Sequence, residues 1–396
     1  GTFQLPNTFN GYKIIDKEGQ RIPIQKTKEG ICVYVKIPPL SFCTYKKEKS
    51  SKLRVKYDSS LMLKNDFVKY KFNKNGNLIS AYDKEIKKEL IEKSGNILSL
   101  YDDRPNDWDA WDIDYFYRDM LIENAIVSSF SSDSCGEVSD SITFNLKIGE
   151  SSIQQNISLG KHSKQLDFST KINWKEAHKM LRVKFPVNIY SEHASFDIQY
   201  GYVKRNTHRN TSWDKAKFEV VGHKYADLSN FDFGVALMND CKYGYMVHDN
   251  VLDLNLIRSP KNPDPDADQG IHKFTYSFLP HNGDLVNSEV IKASNILNQP
   301  PIMFDNVKSE VTMPISLTGD NLELSVLKKS EKDKELIIRV NETHGKYSSG
   351  ILKVNGKIHE CDMMEWNNIN NKFNGKSQIK IELSPFEIRT FRIVDN

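Results

Sequence analysis

The stretch Val68-Lys69-Tyr70-Lys71-Phe72-Asn73-Lys74-Asn75-Gly76-Asn77-Leu78-Ile79 decides the fold class. Val68, Tyr70 and Phe72 alternate with Lys69 and Lys71, which is the period of a strand with one buried face. Asn75-Gly76 tolerates the left-handed backbone that a tight turn needs, so the chain folds back into Leu78 and Ile79 as a hairpin. The alternation recurs. Ile31, Val33, Val35 and Ile37 alternate with Cys32, Tyr34 and Lys36 until Pro38-Pro39 stops the run. Ile142, Phe144, Leu146 and Ile148 alternate with polar residues, and so do Leu252, Leu254 and Leu256. Ile351 to Val354, Asn355-Gly356 and Ile358 predict a second hairpin. Ile379, Ile381 and Leu383 precede a further run from Ile388 to Val394.

Only Asp83 to Ser94 carries a helical pattern, with Ile86 and Leu90 four apart and Gly95 as a stop. Many strands punctuated by turns predict an all-β chain built from large antiparallel β-sandwiches. Lys46-Lys47-Glu48-Lys49-Ser50-Ser51-Lys52 reads as a polar linker, and Asn298-Gln299-Pro300-Pro301 marks a second break. The expected segments are therefore 1–49, 50–298 and 299–396.

The 396 residues suffice for two or more domains. Fifty-five basic residues against 52 acidic ones leave a formal net charge of +3, which gives no electrostatic case for nucleic acid or an anionic membrane. The five cysteines, Cys32, Cys43, Cys135, Cys241 and Cys361, are odd in number and show no CxxC pair. That argues against a disulfide framework or a structural zinc site and favours a reducing, cytoplasmic compartment. The sequons at Asn156, Asn210 and Asn341 matter only in a secreted chain. No signal peptide or membrane-length apolar run is present. The chain begins at Gly1 and its first Met is Met62, so it reads as a fragment or processed product of a longer protein.

Candidate chemistry concentrates in Trp108-Asp109-Ala110-Trp111-Asp112-Ile113-Asp114, which follows Tyr101-Asp102-Asp103-Arg104-Pro105. Indole faces give rigid apolar platforms and carboxylates accept hydrogen bonds from hydroxyls, a combination that suits a sugar ring. The competing reading puts the indoles in the core and uses the Asp residues to cap turns. Asp109 and Asp112 could supply a carboxylate pair for glycoside hydrolysis by count, but their spacing is a question for the structure. Asp264-Pro265-Asp266-Ala267-Asp268-Gln269-Gly270 departs from a calcium loop, because Gln269 stands where Gly is required and Thr275 where Glu is required. His272 and His281 lie nine apart, His208 is isolated, and no HExxH occurs, so no metal is assigned to this chain. No Gly-x-Ser-x-Gly elbow or phosphate-binding glycine loop stands out.

Asn96 to Pro105 and the following Trp-Asp segment resemble the C-terminal region of family 38 glycoside hydrolases, the class II α-mannosidases. The likeness is to the branch with cytosolic, vacuolar and bacterial members. It continues through Ile198-Gln199-Tyr200-Gly201-Tyr202, Arg205 to Asp214, Ala226 to Ser229, Gly234 to Tyr245, Arg258-Ser259-Pro260, Asp266 to His272 and Pro385 to Thr390, in the family's order. The resemblance implies a small β segment at 1–49, a large supersandwich of the galactose-mutarotase type at 50–298 and a smaller sandwich at 299–396. It implies retaining hydrolysis of terminal α-mannose from oligosaccharides. The zinc ligands and the Asp nucleophile would lie on an N-terminal α/β domain outside this chain, which then holds no catalytic residue and no metal. Trp108, Asp109, Trp111 and Asp112, with Asp268, Gln269 and His272 from the loop after Pro260, would wall the pocket and touch substrate. The implied partners are a mannose-containing oligosaccharide and the N-terminal catalytic domain, with self-association a further option and a vacuolar or lysosomal location left open. The alternative is a non-catalytic carbohydrate-binding or structural β module.

Overall fold

The computed structural model describes residues 1–28, 30–57, 60–307 and 313–395. They are organised as two units. One comprises Gly1–Val35, Tyr45–Asp197 and Lys204–Ile302, and the other Lys36–Thr44, Ile198–Val203 and Met303–Asn396.

The first unit is dominated by two antiparallel sheets. The larger runs in the order Ile126–Ser134, Ser139–Ile148, Ser151–Gly160, Leu166–Trp174, Gly270–Asn282, Phe233–Asn239, Tyr225–Ser229 and His193–Ile198. The smaller runs Leu121–Asn124, Ile97–Asp102, Lys179–Pro186, Val251–Arg258, Gly244–His248 and Val220–Val221. Strand alternation supplies the core between them. In Ser151–Gly160 the side chains of Ile153, Ile157 and Leu159 point inward while Ser152 and Gln154 face out. Phe185 of the smaller sheet packs against Phe168 and Phe278 of the larger, with ring centroids 5.7 and 5.4 Å apart. Phe168 also stacks on Tyr276 at 4.9 Å, the offset geometry that adds stability beyond buried area.

The hairpin predicted from Val68 to Ile79 forms. Val68–Phe72 pairs antiparallel with Leu78–Asp83, Val68 opposite Asp83. Gly76 turns at φ +76°, and the Asn73 carboxamide oxygen accepts from the Asn75 and Asn77 amides.

Three local expectations are corrected. Asp83 to Ser94 is not a helix. Asp83 ends a strand, its carboxylate accepts from the Glu85 and Ile86 amides, Lys87 turns at φ +57°, and Lys88–Glu89 returns beside Asp83 and Tyr82. The Asp side chain competes for the first amides and favours a turn over a helix. Asn355-Gly356 is not a hairpin turn, because Ser348–Cys361 is one continuous strand. Its first half pairs with Lys376–Leu383 and its second with Ile388–Val394, so its two halves never face each other. Gly356 is needed for another reason: at φ +152° a Cβ would stand 2.7 Å from the Val394 carbonyl oxygen. Finally, the run read as a linker contains a strand. Lys46–Lys49 pairs with Tyr12–Ile15 at the edge of a three-stranded sheet, where exposed lysines discourage pairing with other chains.

The second unit is a sheet ordered Ile315–Leu317, Ser348–Cys361, Ile388–Val394, Leu336–Glu342 and Leu322–Lys329. Ile338, Val340, Leu352, Ile358, Ile381 and Phe391 form its core. Among the described residues, no helix is long and apolar enough to cross a membrane.

Candidate functional site

Three neighbouring strands of the smaller sheet finish at one edge, because Asp102 faces Lys179 and Met180 faces Arg258 in register. The segments 103–114, 175–178 and 259–269 therefore converge at one end of the sandwich. Their knot is Arg258. Its Nε donates to the buried Asp103 carboxylate at 2.5 Å. Its Nη1 donates to the Ala110 carbonyl at 3.2 Å, and its Nη2 to the carbonyls of Asp109 at 3.0 Å and Asp112. One planar guanidinium thus fixes the Trp-Asp loop through backbone oxygens, a use of its five donors that no other side chain can copy.

Asp109 closes the loop from the other direction. Its Oδ2 accepts from the Lys261 amide at 2.7 Å and the Asn262 amide at 3.0 Å. Its Oδ1 lies 3.5 Å from His178 Nδ1, and the His178 amide in turn donates to the Ser259 carbonyl at 2.8 Å. Trp108 adopts φ +56°, so that its carbonyl takes the amides of Trp111 and Asp112 at 2.8 and 2.9 Å. Neither indole is in the core. Trp108 and Trp111 are each 72% exposed, which removes the reading that the indoles fill the sandwich. Asp112 points its carboxylate to solvent and caps only the Ile113 amide, at 3.0 Å.

The second predicted segment is turned in on itself. Asp268 has φ +57° and its carbonyl meets His272 Nε2 at 2.7 Å. The Gln269 side-chain amide donates to the Glu176 carbonyl. Sequence reasoning placed Asp103 and Arg258 in motif blocks but could not pair residues 155 positions apart. It missed His178 altogether, since a lone His carries no local signal.

Electrostatics follow the contacts. Burial raises the Asp103 carboxyl above the ordinary aspartate range, against the pull of Arg258. At Asp109 burial acts the same way but loses to the Lys261 and Asn262 amides and to His178 and Arg258, so the carboxyl titrates below its usual range. A depressed native value means stability that is full above the unfolded value, about 3.9, and is lost as pH falls through the lower native value. Asp109→Asn keeps an acceptor for the two amides but removes the charge. It is expected to lower stability at pH 7 by about 1 kcal/mol and to flatten the acid limb of the stability profile, read by urea unfolding from pH 3 to 7.

Among the described residues, no three His, Cys, Asp or Glu side chains come together as a metal-ligand set. The zinc that the resemblance implies is expected outside this chain.

Known proteins supply the context. The model of the family "Glycosyl hydrolases family 38 C-terminal domain" matches residues 63–266, and that of the "Glycosyl hydrolases family 38 C-terminal beta sandwich domain" matches residues 321–391. The chain is 38% identical over 364 residues to α-mannosidase G of Dictyostelium discoideum, covering 85% of this chain and 33% of that protein. It is 34% identical over 351 residues to α-mannosidase 2C1 of Mus musculus, covering 85% and 34%. The chain thus spans about a third of the length of these curated relatives. The crystal structure of an α-mannosidase from Enterococcus faecalis V583 superposes with a TM-score of 0.75 over 97% of this chain and 51% of that one, at 16% identity, so the likeness speaks to fold alone. On these matches the chain belongs to glycosyl hydrolase family 38, carrying that family's C-terminal domain and its C-terminal β-sandwich domain.

Proposed function

We propose that this chain is the C-terminal β portion of a retaining α-mannosidase that removes terminal α-linked mannose from oligosaccharides. The observation that carries the reading is the pair of exposed indoles, Trp108 and Trp111, on a loop pinned at one end of the sandwich in a family 38 chain. An indole presents its flat face to the apolar side of a hexose, and the solvent-facing Asp112 carboxylate accepts from hydroxyls at its rim. Asp109 acts differently from the other three: committed to two amides, it positions the loop. In the second segment the Asp268 carboxylate, the Gln269 carbonyl and the free ring nitrogen of His272 remain available to a sugar.

The nucleophile, the acid/base carboxyl and the zinc belong in this reading to an N-terminal α/β domain, which is the chain's principal partner. Residues 1–49, 50–298 and 299–396 are the proposed domains, the second walling the pocket. Cys43, Cys241 and Cys361 are free thiols, which supports a reducing cytoplasmic compartment. Self-association is compatible with this arrangement.

Trp111→Ala in the complete enzyme is the test. It is expected to lower kcat/KM on a mannose oligosaccharide about tenfold, which corresponds to about 1.4 kcal/mol of lost transition-state binding. Thermal stability should stay within about 0.5 kcal/mol, since the side chain is mostly solvated. A large fall in stability with unchanged kcat/KM would make the loop structural.

A further inference from the structure

The outer face of the smaller sheet, the one turned away from Phe168 and Phe278, carries a cavity beside the helix that follows the Trp-Asp loop. It has a volume of about 180 Å³, and its charged lining is Arg118, Asp119, Arg182, Lys184, Arg209 and Asp253. Register explains the gathering. Tyr101 faces Met180, and Lys184 faces Asp253, which faces Met246, so alternate residues of four adjacent strands point to this face. The short helix Tyr115–Asp119 lies beside them and adds Arg118.

Four cations line the cavity against two carboxylates. Arg182 uses Nε on Asp253 and Nη1 on Glu219, which sits behind it and also accepts from the Tyr117 hydroxyl. Its Nη2 has no hydrogen-bond partner, although Arg182 has no exposed surface. Arg118 Nη1 is likewise buried and unpartnered. The opposite need is present too: Asp253 Oδ2 lacks a hydrogen-bond donor, and Lys184 Nζ stands 4.0 Å from it. Buried N–H groups without acceptors, beside a buried carboxylate oxygen without a donor, describe a missing ligand that both accepts and donates. Crowding of like charge agrees. Burial and then Arg118 hold the Arg209 guanidinium below its usual range against Tyr115, its hydrogen-bond partner, and Asp249, and burial and then Arg209 hold the nearby His248 imidazole low against Asp249.

We propose that this cavity binds a protonated phosphate group, either inorganic phosphate or the phosphate of a hexose phosphate. The phosphate oxygens accept from Arg118, Arg182 and Arg209, and its P–OH donates to Asp253 Oδ2. Sulfate matches the size and the acceptors but has no proton at neutral pH, so Asp253 rejects it.

Titration calorimetry on the full chain at pH 6.5, in phosphate-free buffer at constant ionic strength, tests the site with inorganic phosphate, a hexose phosphate and sulfate. The expected result is saturable binding of one phosphate group per chain, at least tenfold tighter than sulfate. It should weaken at least tenfold in Arg118→Gln/Arg209→Gln, or in Arg118→Gln alone if the double variant fails to fold by circular dichroism. Tighter binding of inorganic phosphate assigns the free ion, and tighter binding of the hexose phosphate assigns the monoester. No saturable binding, equal binding of sulfate, or undiminished binding by the folded variant overturns the proposal.

Discussion

Arg182→Met is expected to cost about 3–5 kcal/mol of folding stability, the penalty for stranding buried carboxylates when the cation they share is removed. Arg182 has no exposed surface. Its guanidinium holds Asp253 at 2.7 Å and Glu219 at 3.0 Å, lies over the Tyr117 ring at 5.6 Å, and meets the Met180 sulfur at 3.3 Å. Burial already raises the Glu219 carboxyl despite Arg182, and Asp253 adds to the rise. Without the cation the Glu219 carboxyl must move higher still. A raised native value makes stability fall as pH rises from the unfolded value to the native one. The loss should therefore be larger at pH 7.5 than at pH 5, as read by urea unfolding at the two values. A loss under 1 kcal/mol, or one that is the same at both, would mean that the pair is not buried as described. Replacing Arg182, Asp253 and Glu219 together by apolar residues should recover much of the stability, because no charge is then left unpaired.

Arg258→Lys is expected to separate loop order from fold. An ammonium can still reach the Asp103 carboxylate, but a single point charge cannot also span the carbonyls of Asp109, Ala110 and Asp112. Losing those charge-assisted bonds should cost about 2–3 kcal/mol. The visible consequence is at the loop. Limited proteolysis should cut within 106–112 in the variant and spare the native chain, and in the complete enzyme kcat/KM should fall by at least tenfold while the sandwich stays folded. An intact loop with normal turnover would show that Asp109 and its two amide bonds suffice to hold it.

The all-β architecture was legible because alternation is a local property. Ser139–Ile148, Val251–Arg258 and the Val68 hairpin are written in the period of their own side chains. What failed did so for long-range reasons. Asn355-Gly356 looks like a turn until its two flanks are seen to pair with different strands. The helix Val290–Asn298 escaped notice because its polar Asn295 and Ser294 blur the apolar stripe, and Ser294 is buried all the same. At the site, Trp108 to Asp112 announced themselves as an unusual cluster. Whether the indoles faced core or solvent could not be read from them, since that depends on Arg258 and on the Lys261 and Asn262 amides far along the chain. Composition was equally silent on the outer-face cavity, whose charges come from four separate segments.

The most direct measurement is the anomeric form of the first sugar released from an aryl α-mannoside by the native protein purified from its source, followed by proton NMR. A retaining α-mannosidase releases α-mannose first, with the β form growing in only by slow mutarotation, and that is the expected result. Absence of hydrolysis, or β-mannose as the first product, would contradict the assignment of this chain to the wall of a retaining α-mannosidase.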